Sequence, residues 1–245
     1  MRLLDKLADA PAPEALLGLL DGEHTRAHLV TFVNGYSYQV LREQADLVKH
    51  FDAIYVDGIL LAVLASVVHL RGIPRRSFDM TSLAPTVFGA CEARGSRVAI
   101  VGSTPAALEK FRQVLTRDFP ALKVVYSRSG YFETDDEWLS AIESLRRNEV
   151  EVLICGMGTG PQERFLVDAA QSVETLKLGF SCGGFIHQGA EGLRYYPPVV
   201  DKLQLRWLYR LFREKHTRAR FFRTYPRLFP ALLRDALFYR PIGNR

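Results

Sequence analysis

The 245-residue chain is poor in several features, and each shortage narrows what it can be. Its three cysteines, Cys91, Cys155 and Cys182, stand far apart, with neither C-x-x-C spacing nor a histidine cluster beside them. That excludes a disulfide scaffold or a zinc ribbon and reads as reduced thiols in a cytosolic core. The longest run dominated by apolar residues, Ile59 to Leu70, has 12 positions, against about 20 for a bilayer-spanning helix. No segment is therefore expected to cross a membrane. Met1-Arg2-Leu3-Leu4-Asp5-Lys6 mixes acid and base with no sustained apolar stretch behind it, so no secretory signal is expected. The dinucleotide fingerprint G-x-G-x-x-G fails, because Pro161 stands in the last glycine's place after Gly156 and Gly158. There is no G-x-x-x-x-G-K-[ST], no Asp-x-Asp and no paired histidine. A nicotinamide dehydrogenase or a P-loop ATPase is disfavoured, and neither a cofactor nor a metal is expected.

What is present is an ordinary globular balance, 48% apolar and 24% charged, enough for one large α/β domain or one domain with an appendage. The net charge of +5 conceals a split: residues 1–191 hold 19 Lys/Arg against 24 Asp/Glu, whereas 192–245 hold 13 against 3. A body at −5 and a tail at +10 make the tail a separate electrostatic object, suited to anionic lipid, nucleic acid or a polyphosphate. Its arginines are interleaved with bulky apolar residues, among them Trp207, Phe221, Phe222, Phe229 and Phe238. On a helix Leu205, Leu208, Leu211 and Phe212 share a face, flanked by Arg206, Arg210 and Arg213. That pattern favours an anionic membrane surface over nucleic acid. The competing reading is a helix packed on its own domain with a solvated basic face.

Apolar, β-branched runs alternate with helical patterns. Strands are expected at 28–33, 53–56, 97–101, 123–126, 150–155 and 177–181, with helices at about 36–49, 58–70, 81–94, 104–117, 135–147 and 161–172. This spacing predicts an α/β, doubly wound, mainly parallel sheet with helices on both faces, whose ligands sit at the carboxyl ends of the strands. Those ends read Asn34-Gly35, Asp57-Gly58, Gly102-Ser103-Thr104-Pro105, Gly156-Met157-Gly158-Thr159-Gly160-Pro161-Gln162 and Cys182-Gly183-Gly184-Phe185. Ser103 or Thr104 can cap a helix whose first turn tolerates Pro105, leaving free N–H groups at its positive end. Several such turns along one edge favour a nucleotide ligand.

Taken in order, Tyr55-Val56-Asp57-Gly58, Asp79, Val101-Gly102-Ser103-Thr104-Pro105, Gly130-Tyr131-Phe132, Gly156-Met157-Gly158 with Pro161-Gln162-Glu163, Gly183-Gly184-Phe185 and Leu205 to Leu211 resemble the motifs of the WecG/TagA/CpsF glycosyltransferases. The resemblance runs from about residue 28 to 220. It implies a Rossmann-like core, 1–195, and a basic helical C-terminal appendage, 196–245, that completes the site and engages the membrane. It further implies inverting transfer of an N-acetylmannosamine-type or related sugar from a UDP-sugar donor to a polyprenyl-diphosphate-linked acceptor, at the cytoplasmic membrane face, in surface-polysaccharide synthesis. The resemblance also allows a homo-oligomer, a dimer or trimer, for which the exposed apolar residues of the tail would be the contact.

Carried over by position, Asp57 matches the family's general base, which takes the acceptor hydroxyl's proton as that oxygen attacks. Gln162 matches the pocket glutamine, and Asn34 joins the catalytic set. Gly102 and Ser103 would approach the donor, with Tyr131 near its base. Asp79, Thr104, Gly156, Gly158, Glu163, Gly184 and Phe185 are expected to line the substrates. With no metal motif, the charge on the leaving UDP falls to helix N-termini and to Arg206, Arg210, Arg213 or Arg218. The chain departs from the pattern at Phe32-Val33-Asn34, where relatives carry Thr-x-Asn, at Ile186-His187-Gln188, where Asp is common, and at Glu214-Lys215, where Glu-Pro is typical. Thr31 or Ser37 are the hydroxyls available to replace the missing threonine, although Thr31 should point to the other side of its strand. A nonenzymatic nucleotide-binding module docking through the basic tail is the competing function.

Overall fold

The computed structural model describes residues 3–22, 25–192, 200, 209, 212 and 215–237. Its centre is a six-stranded, wholly parallel sheet: β1 (His28–Val33), β2 (Ala53–Val56), β3 (Val98–Gly102), β4 (Val124–Arg128), β5 (Val152–Gly156) and β6 (Leu178–Ser181). The spatial order is β2-β1-β6-β5-β3-β4. Register runs unbroken from Val33 opposite Val56 to Cys155 opposite Ser181 and Gly102 opposite Gly156. Five of the six strands are buried along almost their whole length because helices cover both faces, which is why they read as continuous apolar runs. Only the edge strand β4 is half-buried throughout.

The helices are α1 (Leu3–Ala8), α2 (Pro13–Leu17), α3 (Gly35–Leu41), α4 (Ala45–Val48), α5 (Ile59–His69), α6 (Leu83–Arg94), α7 (Pro105–Asp118), α8 (Asp135–Arg147), α9 (Pro161–Ser172), α10 (Phe185–Gly189) and α11 (Lys215–Leu237). Against one face, α1, α3, α4, α5, α8, α9 and α11 bury Leu4, Tyr38, Leu41, Leu61, Leu145, Phe165 and Leu228. Against the other, α2, α6, α7 and α10 bury Leu16, Phe88, Phe111 and Ile186.

Most expected elements appear within two residues of their predicted ends. The helix expected over 36–49 is instead two, because Gln44 leaves helical geometry (φ −117°, ψ 56°) between α3 and α4. The short second piece is held from outside: the buried Lys6 ammonium donates to the carbonyls of Val48, Lys49 and Phe51, satisfying acceptors at and just beyond its C-terminal end. Burial pulls the Lys6 pKa down.

The face predicted for Leu205, Leu208 and Leu211 lies outside the described residues, as does the expected boundary at 195/196. Beyond that boundary α11 is docked on the core. Leu228 and Leu232 are buried, Gln39 Nε2 donates to the Thr224 carbonyl at 2.7 Å, and Asp235 accepts from the Tyr38 hydroxyl at 2.6 Å and from the Arg42 guanidinium. This stretch follows the packed-helix reading on its inner side. Its outer side carries exposed Phe229, Leu233 and Leu237.

Candidate active site

Where connections leave two neighbouring strands in opposite directions, a parallel sheet opens a crevice at its carboxyl edge. Here β3 continues outward to β4 while its neighbour β5 turns back towards β6. The chain has packed this point with glycine. A Cβ on Gly102 would stand 2.4 Å from the Gly156 carbonyl oxygen and 2.8 Å from Ile186 Cδ1, and one on Gly130 would stand 2.9 Å from Gly102 Cα. A Cβ on Gly156 would meet Cys182 Sγ and the Gly183 carbonyl at 2.8 Å. Ser103 then holds a left-handed backbone (φ 60°), pinned from both sides: its N–H donates to Gly156 O at 3.1 Å and its carbonyl accepts from Gly130 N–H at 2.9 Å. A non-glycine residue held there stores strain of the kind found at ligand-binding turns. Thr104, exposed, caps α7 by accepting from Ala107 N–H at 3.3 Å.

Next along the edge is a buried polar cluster. Glu163 is fully buried. Its carboxylate accepts from Thr31 Oγ1 at 2.8 Å, Gln162 Nε2 at 2.8 Å and Gly160 N–H at 2.6 Å. Thr31 also meets Ser181 Oγ at 2.8 Å. Loss of water around the carboxylate raises the Glu163 pKa. Gln162, itself buried, accepts from Gly183 N–H at 3.2 Å and so ties the start of α9 to the β6–α10 turn. Glu163, expected to line substrate, is sealed beneath the rim and acts on Gln162 instead.

The β2 end of the edge is built from charge. Asp57 follows β2, its N–H donating to Val33 O at 2.8 Å. A bridge between Val56 and Arg75 brings the loop after α5 alongside, with Arg76 N–H donating to Val56 O at 2.8 Å. Arg75 Nη2 then lies 3.3 Å from Asp57 Oδ1, 3.0 Å from Ser77 Oγ and 3.6 Å from Asp79 Oδ2. Asp79 also accepts from Thr81 N–H at 2.8 Å and from the Ser77 and Thr81 hydroxyls, so it organises the turn that carries Arg75. The Asp57 side chain is 36% exposed and Arg75 17%, which leaves the carboxylate reachable and its partner largely covered. Asn34 stands beside Asp57: its Oδ1 caps α3 through Tyr36 and Ser37 N–H groups, and its Cβ lies 3.7 Å from where a Gly58 Cβ would be.

The remaining expected residues divide. Tyr131 is exposed beyond β4, while its neighbour Phe132 turns in, under the Arg128 guanidinium and against Trp138 and Phe165. Gly158 and Gly184 are exposed in their turns. Phe185 does not reach the rim. Its ring, expected to line substrate, is buried against Phe78, Phe88 and Phe111 in the core. Neither hydroxyl offered in place of the missing threonine faces the site, since Thr31 bonds Glu163 and Ser37 closes the α3 cap. Phe32, at the threonine position, packs on Tyr55 and Phe78. Arg206, Arg210 and Arg213 lie outside the described residues, and only the backbone of Arg218 falls within them. Among the described residues no three His, Cys, Asp or Glu side chains gather as metal ligands, and no helix is long and apolar enough to cross a membrane.

Sequence reasoning missed Arg75. It lies 18 positions beyond Asp57 in an irregular loop without periodicity, and only the bridge to Val56 brings it back. The signal available was electrostatic: two acids expected on one rim call for a cation between them.

A parallel α/β sheet with a strained glycine crevice at one end of its carboxyl edge and a reachable carboxylate at the other is an arrangement a group-transfer enzyme can use. The family comparison identifies the group. Residues 3–241 match the model of the glycosyl transferase WecG/TagA/CpsF family, and the chain belongs to that family. It is a glycosyltransferase. Among curated proteins it is 35% identical over 209 residues, 85% of this chain and 87% of the relative, to UDP-Gal:alpha-D-GlcNAc-diphosphoundecaprenol beta-1,4-galactosyltransferase of Shigella boydii. The competing reading as a nonenzymatic module has no support from either comparison.

Proposed function

We propose that the enzyme transfers a hexose from a UDP-sugar to a sugar carried on a polyprenyl diphosphate, with inversion, at the surface of the membrane that holds the acceptor. The family resemblance alone pointed to an N-acetylmannosamine-type donor. The galactosyltransferase relative shifts the preferred donor to UDP-galactose and the preferred acceptor to a lipid-diphosphate-linked N-acetylglucosamine.

The observation carrying this reading is the division of labour along the edge. In spatial order β2 and β3 are four strand steps apart, or about 19 Å at the usual 4.7–4.9 Å per step. The donor's uridine end lies at the glycine crevice, with Tyr131 near its base, and its diphosphate runs from there along the edge so that the anomeric carbon comes within reach of Asp57. The acceptor hydroxyl comes to the β2 end. There Asp57 removes the proton as the hydroxyl oxygen bonds to the anomeric carbon and the bond to UDP breaks. Arg75 holds the carboxylate in position by tying it to the Asp79 turn. Negative charge accumulates on UDP as it leaves, and Arg206, Arg210 and Arg213 are the candidates to offset it.

The test is a donor screen with a short-chain prenyl-diphosphate N-acetylglucosamine and a panel of UDP-sugars, read as the mass of the extended lipid. The reading predicts extension by one hexose from UDP-galactose and much less from UDP-N-acetylmannosamine. Product from the latter alone would reverse the donor assignment, and no product from any donor would remove the reading.

A further inference from the structure

The helix following Asp57 is chemically unlike its counterparts. Helix α5 runs for 11 residues, Ile59–His69, without one Asp, Glu, Lys or Arg. A surface helix normally buries one stripe and turns charge outward. The outward positions of α7 follow that rule with Glu109, Lys110, Arg112, Gln113 and Arg117. On α5, Leu61, Ala62 and Ala65 face the core, yet the outward positions are also apolar: Leu60 is 42% exposed, Val63 51%, Val67 66% and Leu70 92%. They recur at helical spacing and form one row. Leu70 ends the helix with a left-handed backbone (φ 51°), a position where glycine is usual because it carries no Cβ penalty. A fully exposed leucine kept at a strained turn gains nothing from water. Helix α11 packs beside α5 and adds exposed Phe229, Leu233 and Leu237.

We propose that the outer face of α5, with that of α11, is a membrane-docking surface that lies in the headgroup–acyl boundary of an anionic bilayer. This deepens the reading above and rests on it for the lipid-linked acceptor. Three observations select lipid as the occupant. Exposed Arg227 and Arg234 flank the apolar row of α11, and the tail carries +10 against −5 on the body, a charge pattern complementary to anionic headgroups. A second copy would instead bring its own cationic tail against this one. The helix spans about 16 Å at 1.5 Å per residue, too short to cross a bilayer and suited to lying in its surface. Finally α5 begins two residues after Asp57, so a bilayer on this face meets the β2 end of the rim, where an acceptor anchored in lipid has to arrive.

The three native thiols are buried, so a Val67→Cys variant of the full chain can be labelled selectively with an environment-sensitive fluorophore. Mixed phosphatidylcholine–phosphatidylglycerol vesicles should shift its emission to the blue, and acyl-chain spin labels in those vesicles should quench it. In co-sedimentation, Val63→Gln with Val67→Gln should weaken partition into the same vesicles by roughly tenfold, with unchanged circular dichroism. Transfer to the short-chain soluble acceptor should be unaffected, which separates this proposal from the catalytic one: loss of transfer by the unaltered chain counts against the function, and a lipid-blind label counts against the surface. The proposal is overturned if the label stays in water while the protein sediments. It is equally overturned if the label is dry without vesicles, whether at every protein concentration, which would mean the chain's own tail covers the face, or only at high concentration, which would mean a second copy does.

Discussion

The two ends of the sheet's carboxyl edge are made rigid in opposite ways. At the β3–β5 end, backbone lies on backbone: Gly102, Gly130 and Gly156 leave no space for a single added carbon, and Ser103 is clamped between them. At the β2 end, side chains do the work, with Arg75 bridging Asp57 and Asp79 across 3.3 and 3.6 Å. Steric rigidity tolerates nothing but is indifferent to pH and salt, whereas a partly exposed charge bridge can be loosened without unfolding anything. In the proposed reading, a surface that must grip the donor's nucleotide end suits the first design. One that must admit a bulky lipid-borne acceptor and move a proton suits the second.

The sharpest way to break this contrast is to add one carbon at each end. Gly102→Ala drives a methyl group into the Gly156 carbonyl and Ile186. It should cost about 3 kcal/mol, seen as a melting midpoint lower by roughly 6–12 °C. Gly58→Ala, at the other end, meets only Asn34 Cβ at ordinary contact distance but has φ 126°, so it should cost less, about 1–2 kcal/mol of backbone strain. Asp57→Asn should reverse the ranking in catalysis. It keeps shape and stability but lowers turnover by about 10²-fold or more, measured as kcat with the melting curve as control. Arg75→Gln should fall between: two carboxylates lose their shared cation, stability drops by about 1–2 kcal/mol, and turnover falls by about tenfold as Asp57 loses its orientation.

Much of the sheet was legible because strands covered on both faces leave apolar runs that end abruptly in glycine or a polar residue, as Val98 to Gly102 and Val152 to Gly156 do. Asp57 was legible for the same reason: it is the polar residue where β2 stops. What escaped the sequence were contacts made at long range. Arg75 reaches its place through a single bridge, Phe185 was drawn from a glycine-rich turn into a cluster of rings, and α11 owes its docking to Leu228, Leu232 and an ion pair 193 positions apart in the chain. The inward turn of Glu163 was half-visible, since Gly160 and Glu163 have capping-box spacing. Its bond to Thr31 spans 132 positions and left no local trace.

Glu163 also yields the smallest and most specific effect. Desolvation raises its pKa, so the native state keeps a proton that the unfolded chain has already released. Stability therefore falls as pH rises from the ordinary glutamate range, near 4.5, through the raised native value. Glu163→Gln should flatten that portion of the curve, so that the difference in melting midpoint, variant minus wild type, grows in the variant's favour from acid to neutral pH. A constant difference would mean that the buried carboxyl is not what titrates.

The central claim is that the carboxylate ending β2 is the base of sugar transfer. Single-turnover transfer with UDP-galactose and the short-chain lipid acceptor, comparing wild type with Asp57→Asn at saturating concentrations of both, tests it most directly. The account predicts a chemical step slowed by about 10²-fold or more with donor binding unchanged by titration of UDP. A step within a few-fold of wild type, or a slow step that binding of UDP fully explains, would contradict it.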